Sequence, residues 1–288
     1  MKLAVGTVQF GLDYGVGNKS GQTPFNEVCE ILNLALRNHV NTLDTAMAYG
    51  ESETILGKVG VINWNVITKL PGIPSDCADI SNWVSEQFNK SLLKLNKDKV
   101  FGLLLHSPYQ LLDIHGEELY GSLTELKSKG LIKKLGISIY SPTELPPIIE
   151  KFDIDLVQAP VNLFDRSMEN TGLGYKLKER GIEVHARSVF LQGLLLMKPV
   201  SRPQKFSKWH KAFEAFDKWL AINNISPLEA TLKYVDQLSF VDKLIVGVDS
   251  KVHLEQILSA LNSSNVDVPV FFDHEDTRLI NPSKWPEL

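Results

Sequence analysis

The sequence predicts one α/β domain folded as a closed (β/α)8 barrel. Short apolar runs alternate with helix-patterned stretches along the whole chain, the rhythm of a parallel sheet with helical crossovers. Eight such runs occur, the number a closed barrel requires. The chain has 288 residues, a length one α/β barrel commonly fills. The rival, an open doubly wound sheet, usually carries a GxGxxG turn after its first strand. Here that turn reads Gly6-Thr7-Val8-Gln9-Phe10-Gly11 and does not match.

Leu3–Gly6 reads as the first strand. Asn26–Asn38 reads as a helix, with Thr23 in N-cap position and Pro24 at its first residue. Thr42–Asp44 is a strand, Ser52–Gly57 a short helix and Asn65–Thr68 a third strand. Ile80–Leu95 places Ile80, Trp83, Val84, Phe88, Leu92 and Leu95 at helical spacing. Val100–Leu105 is the fourth strand. The next helix ends near Lys127-Ser128-Lys129-Gly130, cations in its last turn and glycine after it.

The second half repeats the pattern. Strands are expected at Lys134–Ile137, Asp155–Gln158, Glu183–Arg187 and Lys243–Val246. Helices are expected at Pro142–Lys151, Leu173–Arg180, Lys208–Ile222, Pro227–Gln237 and Leu254–Leu261. Phe190–Phe206 carries two prolines and little periodicity, so a long loop follows strand seven; loops of that length are usually functional. The tail Val266–Leu288 holds one more short helix near Asp273–Ile280. The chain starts directly at its first strand, so no N-terminal hairpin is expected.

Composition narrows the function. Apolar residues make up 43% and charged residues 22%, ordinary for a water-soluble globular chain. The net charge is −4 and no basic run appears, which argues against nucleic acid. No apolar stretch approaches a membrane span, and no signal-peptide core stands at the N-terminus. Cys29 and Cys77 lie far apart with no CxxC pair, which favours a reducing, cytoplasmic setting.

The chemistry lies at strand ends. Asp44 closes Asn41-Thr42-Leu43, Tyr49 follows shortly, Lys69 closes Val66-Ile67-Thr68, and His106 closes Leu103-Leu104-Leu105. Active sites of such barrels lie at the C-terminal face of the strands. A lone acid, amine or imidazole there is often a cap or a surface charge; four groups on three successive strands point to a shared site. A phenol of pKa about 10 is a poor donor at neutral pH. A neighbouring ammonium stabilises the phenolate and lowers that value. Tyr49 is therefore the expected proton donor, with Lys69 beside it and Asp44 keeping Lys69 charged. His106 orients a substrate oxygen or joins the proton relay.

The run Asp44-Thr45-Ala46-Met47-Ala48-Tyr49-Gly50-Glu51-Ser52-Glu53 resembles the DTAxxYG-x-SE signature of the aldo-keto reductases. Thr68-Lys69, Leu105-His106, Leu135-Gly136-Ile137-Ser138 and Gln158-Ala159-Pro160-Val161-Asn162 resemble that family's motifs on strands three to six, so the likeness spans almost the whole chain. It implies a TIM barrel that reduces aldehydes and ketones with a nicotinamide cofactor, with Asp44, Tyr49, Lys69 and His106 as the catalytic four. It also implies that Ser138 and Gln158 hold the nicotinamide carboxamide, since Gln offers a donor and an acceptor and Ser either.

Departures from the family pattern cluster around the cofactor. Ile139 replaces an Asn common beside that Ser. Arg187 stands where a stacking Tyr is common; its guanidinium is expected to meet an anionic group of cofactor or substrate, or an acid at the barrel rim. Ile245–Gln256 resembles the strand-eight phosphate region. The expected cofactor contacts are Arg187, Ser188, Gly247, Ser250, Lys251 and His253, with the helix N-terminus attracting phosphate. The expected cofactor is NADPH, with NADH as the alternative; no metal is expected. Gly6–Gly15 and Arg187–Gly193 resemble a bacterial subgroup associated with surface-polysaccharide and nucleotide-sugar pathways.

The expected partner is a small carbonyl compound such as a keto-sugar, with no nucleic acid and no membrane, on a monomer or weak homo-oligomer. Phe10, Tyr14, Tyr109, Phe164 and Phe190 are candidate aromatic walls. Asp13, Asn18, Asp165 and Arg166 are candidate polar contacts. Three rivals compete: a cofactor-binding barrel with little catalysis that serves regulation or redox sensing, a Lys69 Schiff-base aldolase, and a metal hydrolase. The intact four argue against the first, Asp44 beside Lys69 against the second. Against the third, His39, His106, His115 and His185 form no ligand-spaced pair.

Overall fold

Eight parallel strands close on themselves in chain order, β1 to β8. The computed structural model describes residues 1–18, 20–271 and 276–287. The strands are β1 Leu3–Gly6, β2 Thr42–Asp44, β3 Asn65–Leu70, β4 Val100–Leu105, β5 Ile132–Ser138, β6 Leu156–Pro160, β7 Glu183–Arg187 and β8 Lys243–Gly247. Leu3 to Gly6 lie in register with Leu244 to Gly247, so the first and last strands seal the barrel. This is the (β/α)8 architecture expected from the alternating pattern.

The helices are α1 Val8–Gly11, α2 Phe25–Arg37, α3 Ser52–Val59, α4 Ile80–Leu95, α5 Gly116–Ser128, α6 Leu145–Ile149, α7 Ser167–Asn170, α8 Leu173–Glu179, α9 His210–Asn223, α10 Pro227–Gln237, α11 Lys251–Leu261 and α12 Thr277–Ile280. Several begin where their caps dictate. Asp79 accepts the Asn82 N–H to start α4, and Ser226 with Glu229 forms a capping box on α10, whose first residue is Pro227.

Some expected boundaries shift. Pro24, not Thr23, is the N-cap of α2, and no side chain caps that helix. Helix α11 begins at Lys251, a turn before the expected Leu254, because Ser250 caps it through the His253 N–H. Strand β3 runs to Leu70, so Lys69 lies within the ladder, registered with Leu104. The expected helix over Pro142–Lys151 is a 3-10 turn followed by the short α6, since Pro146 and Pro147 remove amide donors. The long loop after β7 contains 3-10 turns at Leu194–Leu196, Pro199–Ser201 and Gln204–Trp209. In the tail, α12 occupies Thr277–Ile280, and residues 273–275 of the expected helix lie outside the described residues. No strand precedes β1 among the described residues.

The core divides in two. A large cluster fills the space between strands and helices. A separate one consists of Ile67, Leu104 and Leu156, all fully buried. Side chains alternate faces along a strand. Each of these three stands two residues before a polar one, Lys69, His106 or Gln158. The apolar trio is therefore a floor inside the barrel, and the polar trio stands on it.

Candidate active site

At the C-terminal face of the strands lies a cavity of about 920 Å³, walled by Asp44, Tyr49, His106, Ser138 and Gln158 among others. Its size suits an organic ligand. At its base Lys69 is 1% exposed and Asp44 4%. The Lys69 ammonium donates to both Asp44 carboxylate oxygens at 2.8 Å, to the Thr45 carbonyl at 2.9 Å and to the Tyr49 hydroxyl at 3.5 Å. Burial pulls the ammonium toward its neutral form, but Asp44 and then Tyr49 outweigh it and hold Lys69 above its ordinary range. An amine so paired is no free nucleophile, which removes the Schiff-base reading.

The loop carrying Tyr49 is tightly fixed. The Thr7 amide and hydroxyl each donate to the Asp44 carbonyl at 3.0 Å. Buried Ser52 lies 2.8 Å from the Thr7 hydroxyl and 3.1 Å from that of Thr45. Glu53, also buried, accepts from Thr68 at 2.7 Å and Ser91 at 2.6 Å, tying α3 to β3 and α4. At Gly11 a methyl group would stand 1.9 Å from the Tyr49 carbonyl and 2.4 Å from the Ser52 amide, so only glycine lets α1 reach this loop. The Ser-Glu end of the signature is thus structural.

His106 follows β4, its ring edge-on to Tyr49 with centroids 6.1 Å apart. Burial, then the Lys69 and Arg187 charges, push its pKa down to about 4, against a weaker upward pull from Asp44. At neutral pH it is an uncharged imidazole with one N–H to donate. Of its two expected roles, orienting a substrate oxygen fits; an acid titrating near 4 is a poor neutral-pH proton reservoir.

Gln158 adds a contact hidden in the sequence. Its amide N–H donates to Asp44 Oδ1 at 2.7 Å across the barrel. Its Oε1 is buried and lacks a hydrogen-bond partner among the described residues. A ligand amide would satisfy that oxygen. Ser138, at the end of the neighbouring β5, lines the same wall.

The remaining expected contacts divide. Arg187, Ser188, Gly247 and His253 line the cavity. Arg187 meets no acid among the described residues: it donates to the Ile139 carbonyl at 2.9 Å and the Ser188 hydroxyl at 3.1 Å, and stacks on Tyr140 with Cζ 4.7 Å from the ring centre. Ser188 adopts φ +56°, and Asn162 grips its carbonyl at 3.1 Å. Ser250 and Lys251 are corrections. The Ser250 hydroxyl accepts the His253 N–H, and the Lys251 ammonium reaches Glu30 at 3.1 Å, because each belongs to the start of α11 and neither lines the cavity.

Of the expected walls, Tyr14, Asn18 and Phe190 line the cavity. Phe10 and Phe164 are core residues, and Tyr109 is exposed outside the cavity. Asp165 is buried against Ser167, and Arg166 holds the Val268 and Pro269 carbonyls. Asp13 is not a wall residue. The sequence reading missed Tyr140, Gln9 and Asp249, all of which line the cavity. An acid two residues after the strand-eight glycine was the available signal for Asp249.

A charge-paired lysine touching a tyrosine, a neutral histidine beside them and a buried amide oxygen without a partner among the described residues are compatible with carbonyl reduction. The chain belongs to the aldo/keto reductase family, whose pattern matches residues 2–268. As a member it is an NAD(P)H-dependent oxidoreductase acting on small carbonyl compounds. A Bacillus subtilis (strain 168) protein described as uncharacterized oxidoreductase YqkF is 27% identical over 271 residues, covering 87% of each chain. The NADH-specific methylglyoxal reductase of Escherichia coli (strain K12) is 27% identical over 189 residues, 56% of each chain. The holo form of aldo-keto reductase AKR11C1 from Bacillus halodurans has the same fold, with TM-score 0.75 over 92% of this chain and 88% of that one at 20% identity. No helix among the described residues is long and apolar enough to cross a membrane.

Proposed function

We propose that the chain reduces an aldehyde or ketone to the alcohol, with Tyr49 as the proton donor. The observation that carries this is the buried Lys69 ammonium bridging the Asp44 carboxylate and the Tyr49 hydroxyl, both of which line the cavity. The neutral His106 N–H holds the carbonyl oxygen close to the Tyr49 hydroxyl. As charge grows on that oxygen, Tyr49 delivers its proton, and the ammonium at 3.5 Å stabilises the phenolate left behind. Asp44 keeps Lys69 charged and aimed. Bound in this cavity, a reduced nicotinamide supplies the hydride that the carbonyl carbon accepts. Its carboxamide fits the partnerless Gln158 oxygen, with Ser138 alongside.

Tyr49→Phe tests the assignment. Turnover is expected to fall by about 10²- to 10⁴-fold, while cofactor affinity, read by fluorescence titration, stays within about twofold. Reduction at the wild-type rate by the variant refutes it. The regulatory alternative, a barrel that binds cofactor without catalysis, predicts no single-turnover oxidation of bound cofactor when a generic aldehyde is added.

For substrate we infer a small hydroxylated carbonyl compound such as a keto-sugar. Tyr14, Asn18, Tyr140 and Gln192 place polar groups among the cavity walls, which supports this reading. A carbonyl panel in which only apolar aromatic aldehydes turn over overturns it. The sequence expectation of NADPH rested partly on Ser250 and Lys251, which are engaged by Glu30 and the start of α11 and do not line the cavity. The free thiols Cys29 and Cys77 support action in a reducing compartment such as the cytoplasm.

A further inference from the structure

We propose that the far end of this cavity selects NADH over NADPH, with Asp249 and Glu27 as the specificity-determining residues. The proposal rests on the nicotinamide reading above and names its cofactor.

The cavity runs from Tyr49 past Gln158 and Ser188 to Gly247, Asp249 and His253 at the start of α11. In (β/α)8 barrels, phosphate groups commonly bind at the loops after strands seven and eight, beside a helix N-terminus. With the nicotinamide end fixed at Gln158, the adenosine end belongs at β8 and α11. There the two cofactors differ: NADH presents a ribose 2′-hydroxyl and NADPH a 2′-phosphate.

This end is furnished for a hydroxyl. Asp249 lines the cavity, and its Oδ1 is buried without a hydrogen-bond partner among the described residues. Its other oxygen lies 3.8 Å from His253 Nδ1. A lone carboxylate oxygen accepts a bond from a ribose hydroxyl. A 2′-phosphate dianion offers it no donor and adds like charge in a partly desolvated place.

The helix end that would otherwise greet a phosphate is already taken. The Lys251 amide donates to the Glu27 carboxylate at 2.5 Å, and the His253 amide to the Ser250 hydroxyl at 3.2 Å. The Lys251 ammonium is drawn onto Glu30 at 3.1 Å. A carboxylate here satisfies the helix dipole in place of a phosphate. Glu27 and Glu30 thus engage the Lys251 amide and ammonium, and Asp249 stands 3.8 Å from His253. Of the other cations on the cavity wall, Arg187 belongs to β7 and Lys198 to the loop after it, away from the start of α11 in the sequence.

The test is direct binding with no carbonyl substrate present. NADH and NADPH are titrated separately by their own fluorescence, and 5′-ADP and 2′,5′-ADP are used as competitors. Wild-type protein is expected to bind NADH at least about tenfold more tightly, and 5′-ADP more tightly than 2′,5′-ADP. Asp249→Asn should weaken NADH and tighten NADPH, moving their ratio by about tenfold. Glu27→Gln keeps an acceptor for the Lys251 amide but removes the charge, so NADPH alone should tighten. NADPH binding as well as NADH in the wild type, or variants that shift both cofactors alike, overturns the selection and leaves the nicotinamide reading standing. Binding of neither cofactor overturns both.

Discussion

The Asp44–Lys69 pair offers a sharp test of the site's construction. Lys69→Met removes the ammonium and keeps most of the volume. The Asp44 carboxylate, 6% exposed at its side chain, then retains one neutral donor, Gln158 at 2.7 Å. A buried charge stripped of its counter-ion costs about 3–5 kcal/mol. Asp44→Asn strands the opposite charge, leaving Lys69 with neutral acceptors alone, the Asn oxygen, the Thr45 carbonyl at 2.9 Å and the Tyr49 hydroxyl at 3.5 Å. Its cost should be similar. The double variant buries neither charge, so its loss should fall short of the sum of the two by at least about 2 kcal/mol. Urea unfolding of the four proteins measures this, with cofactor titration confirming that each retains its cavity. All three variants should lose turnover, but their stabilities should not add. Additive losses would show that the pair is uncoupled, and the account of Lys69 as a charge held in place by Asp44 would fail.

Two further outcomes follow from the same site. His106 titrates at about 4 when folded against 6.5 ordinarily, so between those values the unfolded chain binds the extra proton and the folded one does not. Its contribution is complete above pH 6.5 and declines as pH falls toward 4, by roughly 3 kcal/mol at most. His106→Gln should flatten that part of the stability curve, and an unchanged slope in the variant contradicts the assignment. Gly11→Ala drives a methyl group into the backbone at Tyr49 and Ser52. It should cost about 1–3 kcal/mol by thermal unfolding and lower turnover about tenfold or more through the displaced Tyr49. A fully active Gly11→Ala enzyme would show that the loop tolerates movement.

Strand-end polarity made most of the candidate catalytic group legible. Asp44, Lys69 and His106 interrupt apolar runs, and an interruption at the end of a buried strand is costly unless partnered. What the pattern cannot supply is the partner. The bond from Gln158 to Asp44 joins residues 114 apart in sequence, and only the closed barrel reveals it. Aromatic residues misled for a related reason: Phe10 and Phe164 sit beside strand ends like Phe190, yet they face the core, because hydrophobicity marks burial without naming the cavity. At β8 a shift of one turn decided the outcome. With α11 beginning at Lys251, the lysine's amide and ammonium both meet carboxylates from α2, contacts the local sequence does not announce.

The seam between β1 and β8 also has a consequence during synthesis. Leu3 to Gly6 find their second neighbour only at Leu244 to Gly247, so β1 leaves the ribosome with one edge open and keeps it open until nearly the whole chain has been made. Asp44, Tyr49, Lys69 and His106 all emerge before β5 begins at Ile132. Gly247, Asp249 and the start of α11 follow only with β8. A nascent chain thus carries the Asp44–Lys69–Tyr49 cluster well before the β8 end of the cavity exists, and a ligand that spans both ends can act only on the final closure.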